Sequence, residues 1–252
     1  MKASVKSAIK ELVRSKINSK LNDYSSETNY MPFFTAIFEN ETIIKASMMQ
    51  SLYTSFGMSI YEQMAVLLSQ GAGFQAQRQY NLMGAIDKDT EHYISEICRD
   101  TTRSPDKIAE IEEIRKIIKK GSANKDPESR VDVHVVLPDD LEVYVDITTV
   151  KPNLKEFRAL RKKILRWCAL RLSQNPNANI KTCIGIPYNP YHPETYDRWT
   201  GSECDPNEDI LVQNNLWETF AGYDVFDELI ELFKDVGKEM NQKISRFLKM
   251  KG

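Results

Sequence analysis

The sequence has no apolar run approaching the ~20 residues that a membrane-spanning helix needs, so no membrane contact is expected. Its four cysteines include no CxxC pair, which argues against a zinc site and against a disulfide framework. A reducing compartment, the cytoplasm, is therefore expected. The GxGxxG, Walker, GxSxG and HExxH motifs are also absent, so neither a nucleotide cofactor nor serine-hydrolase chemistry is expected.

The sequence has almost no net charge, because 34 Lys and Arg residues balance 36 Asp and Glu residues. A formal charge of −2 argues against a protein that coats nucleic acid through bulk charge. The charges are unevenly distributed, however. Residues 151–171 contain eight basic residues and one acid, whereas residues 203–235 contain ten acids and one base. The first segment therefore predicts a local basic surface.

Apolar residues in the first third of the chain follow the 3.6-residue period of helices, and residues 1–86 are predicted to be helical throughout. Ser59 and Glu62 have the spacing of a capping box that opens a helix, and Gly71 is expected to end it. Two more helices are expected within residues 91–120, with a break near Ser104 and Pro105.

The period changes from 3.6 to 2 after a polar loop at residues 121–130. The segments VDVHVV and EVYVDITTV alternate around the turn LPDDL, which predicts an antiparallel hairpin. A helix, a third strand and C-terminal helices are expected at residues 154–172, 179–186 and 226–250. This order predicts an α/β core inside a helical shell. We expect one domain over residues 1–252, with a largely helical part (1–120), an α/β core (121–200) and a C-terminal helical part (201–252).

The hairpin turn sets which residues face each other on the two strands. A turn centred on Asp139 predicts three facing pairs: Val135 with Val143, Val133 with Val145, and Asp132 with Asp146. Facing β-carbons lie ~4.5–5.5 Å apart, and like charges so placed are destabilising unless something compensates them. Mg²⁺ is a suitable compensation, because it takes carboxylate and phosphate oxygens. Two acids on the solvent face of a hairpin are also common, so a merely structural role stays open.

The helix after the second strand carries a stripe of basic residues within about 80° of its circumference. The stripe consists of Lys151, Lys155, Arg158, Lys162 and Arg166. Such a stripe is usually a solvated face. One that begins at the end of a strand carrying paired acids favours contact with a phosphate backbone.

These features together resemble the PD-(D/E)xK nuclease core, a mixed β-sheet with a catalytic hairpin. Several segments resemble, more specifically, the TdeIII/MjaII-type family of type II restriction endonucleases. They are MPFF, QSLYTSFGMSIYEQMA, VDVHV, VDITTVKPN, IPYNPYHPETYDRWTG and the segment at residues 210–240. The resemblance implies Mg²⁺-dependent cleavage of double-stranded DNA at a short palindrome of the GGNCC kind. A palindromic target implies a two-fold symmetric reader, and hence a homodimer.

The resemblance also implies roles for individual residues. Asp132 matches the first acid of the motif and Asp146 matches the second. Glu62 matches an acid from the first core helix, although it could equally be only a capping residue. Thr148 departs from the pattern, because it occupies the place of the motif lysine and cannot supply an ammonium. Either Lys151 reaches the site instead, or the protein binds DNA and cuts it poorly.

The proline-rich segment at residues 186–193 could present Tyr188, Asn189 and Tyr191 to DNA, or could simply wrap over the sheet. Arg198, followed by Trp199, could contact a phosphate or a guanine edge. Three hypotheses remain open. They are a type II restriction endonuclease, a catalytically impaired DNA-binding protein on the same scaffold, and a helical interaction protein whose hairpin acids are only surface groups.

Overall fold

The computed structural model describes residues 1–23, 31–55, 59–198 and 200–251. The chain forms two compact units, one of Met1–Leu67 with Val225–Gly252 and the other of Leu68–Asp224. Within the described residues, no helix combines the length and the apolar character that a membrane span requires. All four cysteines are free thiols. The single domain expected from the sequence stays a prediction.

The first unit is helical. Its helices are α1 (Ala3–Asp23), α2 (Pro32–Thr35), α3 (Asn40–Ser55), most of α4 (Tyr61–Ala72) and α10 (Phe226–Lys251). Helix α1 buries Ile9, Val13 and Ile17, which recur every four residues as the sequence period predicts. Ion pairs at a constant sequence offset, such as Lys10–Asp235 at 2.8 Å, align α1 parallel to α10. Acids of the acid-rich segment at residues 203–235 therefore pair with basic residues of α1.

The second unit contains a mixed five-stranded sheet. Its elements are β1 (Gln75–Met83), α5 (Lys88–Arg99), α6 (Lys107–Ile117), β2 (Lys125–Leu137), β3 (Leu141–Ile147), α7 (Leu154–Gln174), β4 (Ile180–Ile186), α8 (Thr200–Glu203), β5 (Ile210–Val212) and α9 (Asn214–Ala221). The strand order is β1-β2-β3-β4-β5. β1, β2 and β3 are antiparallel, whereas β3, β4 and β5 are parallel. The predicted α/β class is confirmed.

The hairpin register agrees with the sequence. Val133 pairs with Val145 and Val135 pairs with Val143, and all four side chains are buried. The turn is a short 3₁₀ segment, Pro138–Asp140, in which Asp139 has a φ of 61°. Aspartate tolerates this left-handed conformation better than most residues, which explains the Pro-Asp-Asp sequence there.

The sequence expectation is wrong in four places. The part at residues 201–252, expected to be helical, contains strand β5 (Ile210–Val212), which forms by pairing with β4. Residues 75–83, predicted as helix, form β1, because their polar sequence QAQRQYNLM gains its strand conformation by pairing with β2 rather than from its own pattern. The predicted loop at residues 121–130 contains the start of β2, which begins at Lys125. Helix α4 runs past Gly71 and stops before Gly73, whose φ of +91° suits glycine.

Helix α7 forms the layer that covers the sheet. Asn153 caps it, accepting a hydrogen bond from the backbone of Glu156 while the Glu156 carboxylate accepts one from Asn153. The KPN segment at residues 151–153 therefore has a structural role, because the extended chain ends there and α7 begins. One side of α7, including Ile164 and Trp167, packs on the sheet, and the other packs against α5 and α6.

Gly185 marks a close approach between β4 and its neighbours. A β-carbon at this position would lie 2.8 Å from Val145 Cγ1 and 2.9 Å from Leu216 Cδ1. We expect Gly185→Ala to lower the free energy of unfolding by about 1–3 kcal/mol, measured by urea denaturation. Gly237→Ala, which meets no neighbouring atom within 4 Å in α10, should instead stabilise the protein by about 0.5–1 kcal/mol. A Gly185→Ala protein as stable as the parent would contradict this packing.

Candidate active site

The two predicted acids lie at one end of the β2–β3 hairpin. The ladder of paired residues ends at Val133 and Val145, so Asp132 and Asp146 are the next residues on the two strands. Asp132 Oδ2 accepts a hydrogen bond of 2.9 Å from the backbone N–H of Ile147, the residue after Asp146. Asp146 is almost fully buried. The register therefore brings the two aspartates to adjacent strand positions, and their joint role as metal ligands stays a prediction.

A lysine that the sequence reasoning did not select contacts Asp146. The ammonium of Lys163, on α7, forms an ion pair with Asp146 Oδ2. The same ammonium lies 5.0 Å from the ring centroid of Trp167, a cation–π distance. The Lys163 side chain is 29% exposed, so solvent and ligands can still reach it.

Thr148 and Lys151, the two residues considered for the motif-lysine role, have other contacts. The backbone N–H of Thr148 donates to the carbonyl of Gly185 at 3.0 Å, which continues the β3–β4 contact, and its side chain is half-buried. Lys151 is exposed and its ammonium lies 5.2 Å from the ring centroid of Tyr191. The cation at Asp146 therefore comes from α7 and not from the end of β3.

Glu62 lies near the start of α4 and is only 3% exposed. It belongs to the first compact unit, whereas Asp132 and Asp146 belong to the second. Its proposed contribution to the site stays a prediction.

The basic stripe on α7 is largely paired with acids of the same unit. Arg158 forms two 2.9 Å hydrogen bonds to Glu203, and Lys162 lies 3.1 Å from Glu91. Arg166 pairs with Glu91, with Asp126 at 2.7 Å and with Glu128 at 3.0 Å. Lys155 is exposed. To contact DNA, these residues would have to exchange their carboxylate partners for phosphates. This applies to Arg158, Lys162 and Arg166.

The segment after β4 folds over the connection between β3 and α7. Arg198 Nε donates to the carbonyl of Pro152 at 2.7 Å, and its Nη1 donates to the Tyr191 hydroxyl at 3.4 Å. The Asn189 side chain donates to the carbonyl of Glu194 at 2.7 Å, and the partly buried Tyr188 packs against the sheet core. These contacts fit the structural wrap considered from the sequence, and DNA contact by these residues stays a prediction. Trp199 lies outside the described residues.

His134 packs between two aromatic rings. Its ring stacks at 4.6 Å on Tyr144, the residue it faces on β3, and lies 4.5 Å from Tyr80 of β1. Burial lowers the pKa of His134 below its ordinary value, so the imidazole is neutral near pH 7.

The donor set at the hairpin end fits a hard divalent cation. Both acids offer only oxygen atoms, which Mg²⁺ prefers, and Mg²⁺ commonly uses one or two protein carboxylates together with water and phosphate oxygens. Among the described residues, no group of three or more His, Cys, Asp or Glu side chains is placed to hold a metal ion. A cation here would therefore depend on Asp132, Asp146 and oxygens from outside the protein.

Comparison with known proteins identifies the family. The sequence model of the HinfI type II restriction endonuclease family matches residues 1–237. The chain is 28% identical over 203 residues to the type II restriction enzyme MjaII of Methanocaldococcus jannaschii, covering 74% of this chain and 53% of MjaII. It is 24% identical over 233 residues to the type II restriction enzyme HgiCII of Herpetosiphon aurantiacus, covering 89% of this chain and 84% of HgiCII. The alignment thus spans about half the length of MjaII and most of HgiCII. The chain belongs to the HinfI family of type II restriction endonucleases.

Proposed function

We propose that this chain is an active restriction endonuclease that hydrolyses phosphodiester bonds in double-stranded DNA at a short palindromic site. The observation that carries the proposal is the adjacent placement of Asp132 and Asp146 where the β2–β3 ladder ends, beside the ammonium of Lys163. Membership of the family supports the reaction class. The free cysteines are compatible with action in the cytoplasm.

The two aspartates would hold Mg²⁺, which supplies charge neutralisation and an activated water when it is bound. The hydrogen bond from the Ile147 N–H fixes the orientation of the Asp132 carboxylate. Burial of Asp146 and its ion pair with Lys163 of α7 limit the rotation of its carboxylate in the same way. A rigid pair of carboxylates is what precise placement of the scissile phosphate requires.

DNA binding is proposed to use the exposed Lys155 together with the stripe residues Arg158, Lys162 and Arg166, which are paired with acids here. Phosphates compete well for such cations, because arginine binds carboxylate and phosphate with similar geometry. A palindromic target calls for two copies of the reading surface, so a homodimer is expected.

The second candidate function is a DNA-binding protein that does not cut efficiently. Thr148 supports it, because the strand position of the motif lysine has no ammonium. The two candidates predict the same binding but different chemistry, so a single cleavage assay separates them.

The test is digestion of plasmid DNA containing GGNCC sites by the full chain with Mg²⁺, beside Thr148→Lys and an EDTA control. Discrete fragments from the unchanged chain, lost in EDTA, are the expected result. Cleavage by the Thr148→Lys protein alone would favour the impaired DNA-binding protein. If neither protein cuts or retains any DNA at moderate salt, the helical interaction protein is the remaining hypothesis.

A further inference from the structure

We propose that Lys163 is the catalytic lysine of this chain, supplying from α7 the ammonium that Thr148 cannot supply from β3. This inference rests on the proposed nuclease function and deepens it. Its starting point is a single contact, because the Lys163 ammonium is the cation that pairs with Asp146.

The fold explains how a residue so far along the chain reaches the acid. Helix α7 follows β3 and crosses over to the parallel strand β4, so its first turns lie near the end of β3. Lys163 and Trp167 are four residues apart and share one side of the helix. Trp167 is fully buried and donates from its indole to the carbonyl of Glu128 at 2.9 Å, which anchors that side of α7 against β2.

Three features hold the Lys163 ammonium at this place. The ion pair with Asp146 attracts it, the face of Trp167 lies 5.0 Å away, and most of the Lys163 side chain is covered. Two other cations of the helix are directed elsewhere, since Arg158 pairs with Glu203 and Lys162 with Glu91. Among these three cations, Lys163 is the one that contacts Asp146.

Lys163 would neither gain nor lose a proton in the phosphodiester hydrolysis that it assists. The oxygen of water forms a bond to phosphorus, one phosphoester P–O bond breaks, the leaving oxygen takes one proton of the water, and the other proton is released to solvent. Negative charge builds on the phosphoryl oxygens as this happens. An ammonium fixed beside Asp146 stabilises that charge without reorganising, and it stays protonated throughout.

The test compares four proteins with the unchanged chain: Lys163→Met, Lys163→Arg, Thr148→Lys/Lys163→Met, and Lys181→Met as control. Lys181 is similarly exposed and similarly ion-paired, at 2.9 Å to Glu208. Single-turnover cleavage is measured with Mg²⁺, DNA affinity is measured with Ca²⁺ by fluorescence anisotropy, and folding is checked by thermal denaturation. We expect Lys163→Met to slow cleavage by roughly 10²–10³-fold while Ca²⁺-supported affinity changes by less than about tenfold.

The double variant Thr148→Lys/Lys163→Met should cleave at least about tenfold faster than Lys163→Met, because it carries a lysine at the strand position of the motif. Lys163→Arg should retain more activity than Lys163→Met, and Lys181→Met should cut like the parent. Equal cleavage by the parent and Lys163→Met would overturn the proposal and leave the nuclease function intact. Cleavage by the Thr148→Lys/Lys163→Met protein but not by the parent would overturn it too. If no protein cuts, both this inference and the proposed function are wrong.

Discussion

Asp146→Asn is expected to reduce DNA cleavage by at least roughly 10³-fold while the protein remains folded. Asparagine keeps the shape of the side chain but removes the charge that would hold the divalent cation. A 10³-fold slower reaction corresponds to a loss of ~4 kcal/mol of transition-state stabilisation. This loss lies within the several kcal/mol that a catalytic metal supplies. The measurement is the single-turnover rate with Mg²⁺. DNA affinity in EDTA should stay the same or rise, because a negative charge near the phosphates is removed.

Asp139→Asn is the matched control for this variant. Asp139 lies in the turn of the same hairpin and is exposed, and asparagine tolerates its left-handed backbone. It should therefore cleave DNA at the rate of the parent chain. Full activity in the Asp146→Asn protein would show that the hairpin carboxylates are not the catalytic pair.

Asp209→Asn is expected to lower the free energy of unfolding by about 3–5 kcal/mol, measured by urea denaturation. Lys107 and Asp209 are both fully buried and their charged atoms lie 2.6 Å apart. Burial alone would lower the pKa of Lys107, but the Asp209 carboxylate outweighs it and holds that pKa above its ordinary value. Removing the carboxylate leaves the buried Lys107 ammonium without its counter-charge.

Two further proteins test this explanation. Glu208→Gln breaks the partly exposed Lys181–Glu208 pair next to Asp209 and should lower the free energy of unfolding by less than about 1 kcal/mol. Adding Lys107→Met to Asp209→Asn removes the uncompensated charge, so part of the lost stability should return. An Asp209→Asn protein as stable as the parent would show that the pair contributes no net stability.

The Lys107–Asp209 pair belongs to a buried charged network that no sequence pattern predicts. Arg161 of α7 makes two hydrogen bonds to Glu110 of α6, at 2.6 and 2.7 Å, and its Nε lies 3.7 Å from Asp209. In the sequence Arg161 reads as one more base of the basic segment. Its burial depends on α6 packing against α7, and such long-range packing leaves no local signal.

The strands that could be predicted are those whose own pattern determines them. Strand β3 and the valine-rich half of β2 alternate with β-branched residues, and the turn between them sets the register, so the Val133–Val145 and Val135–Val143 pairs follow from the sequence. Strand β1 has no such pattern, since it is polar and acquires its conformation from the ladder with β2. Its prediction as helix failed for that reason.

The candidate site likewise has a part that the sequence predicts and a part that it does not. The turn fixes the positions of Asp132 and Asp146, because they lie in the same hairpin and few residues separate them. The contact between Lys163 and Asp146 depends on where the crossover helix meets the sheet, which is a tertiary property. A sequence signal exists only in retrospect, as the four-residue spacing between Lys163 and the buried Trp167.

The hairpin acids Asp132 and Asp146 are proposed to catalyse cleavage at a palindromic target. The test is to cut a randomised duplex library with the chain in Mg²⁺ and to sequence the DNA ends. The expected result is a set of ends centred on one short palindrome, absent with Asp146→Asn and unchanged with Asp139→Asn. No enriched ends, or the same ends from the Asp146→Asn protein, would contradict it.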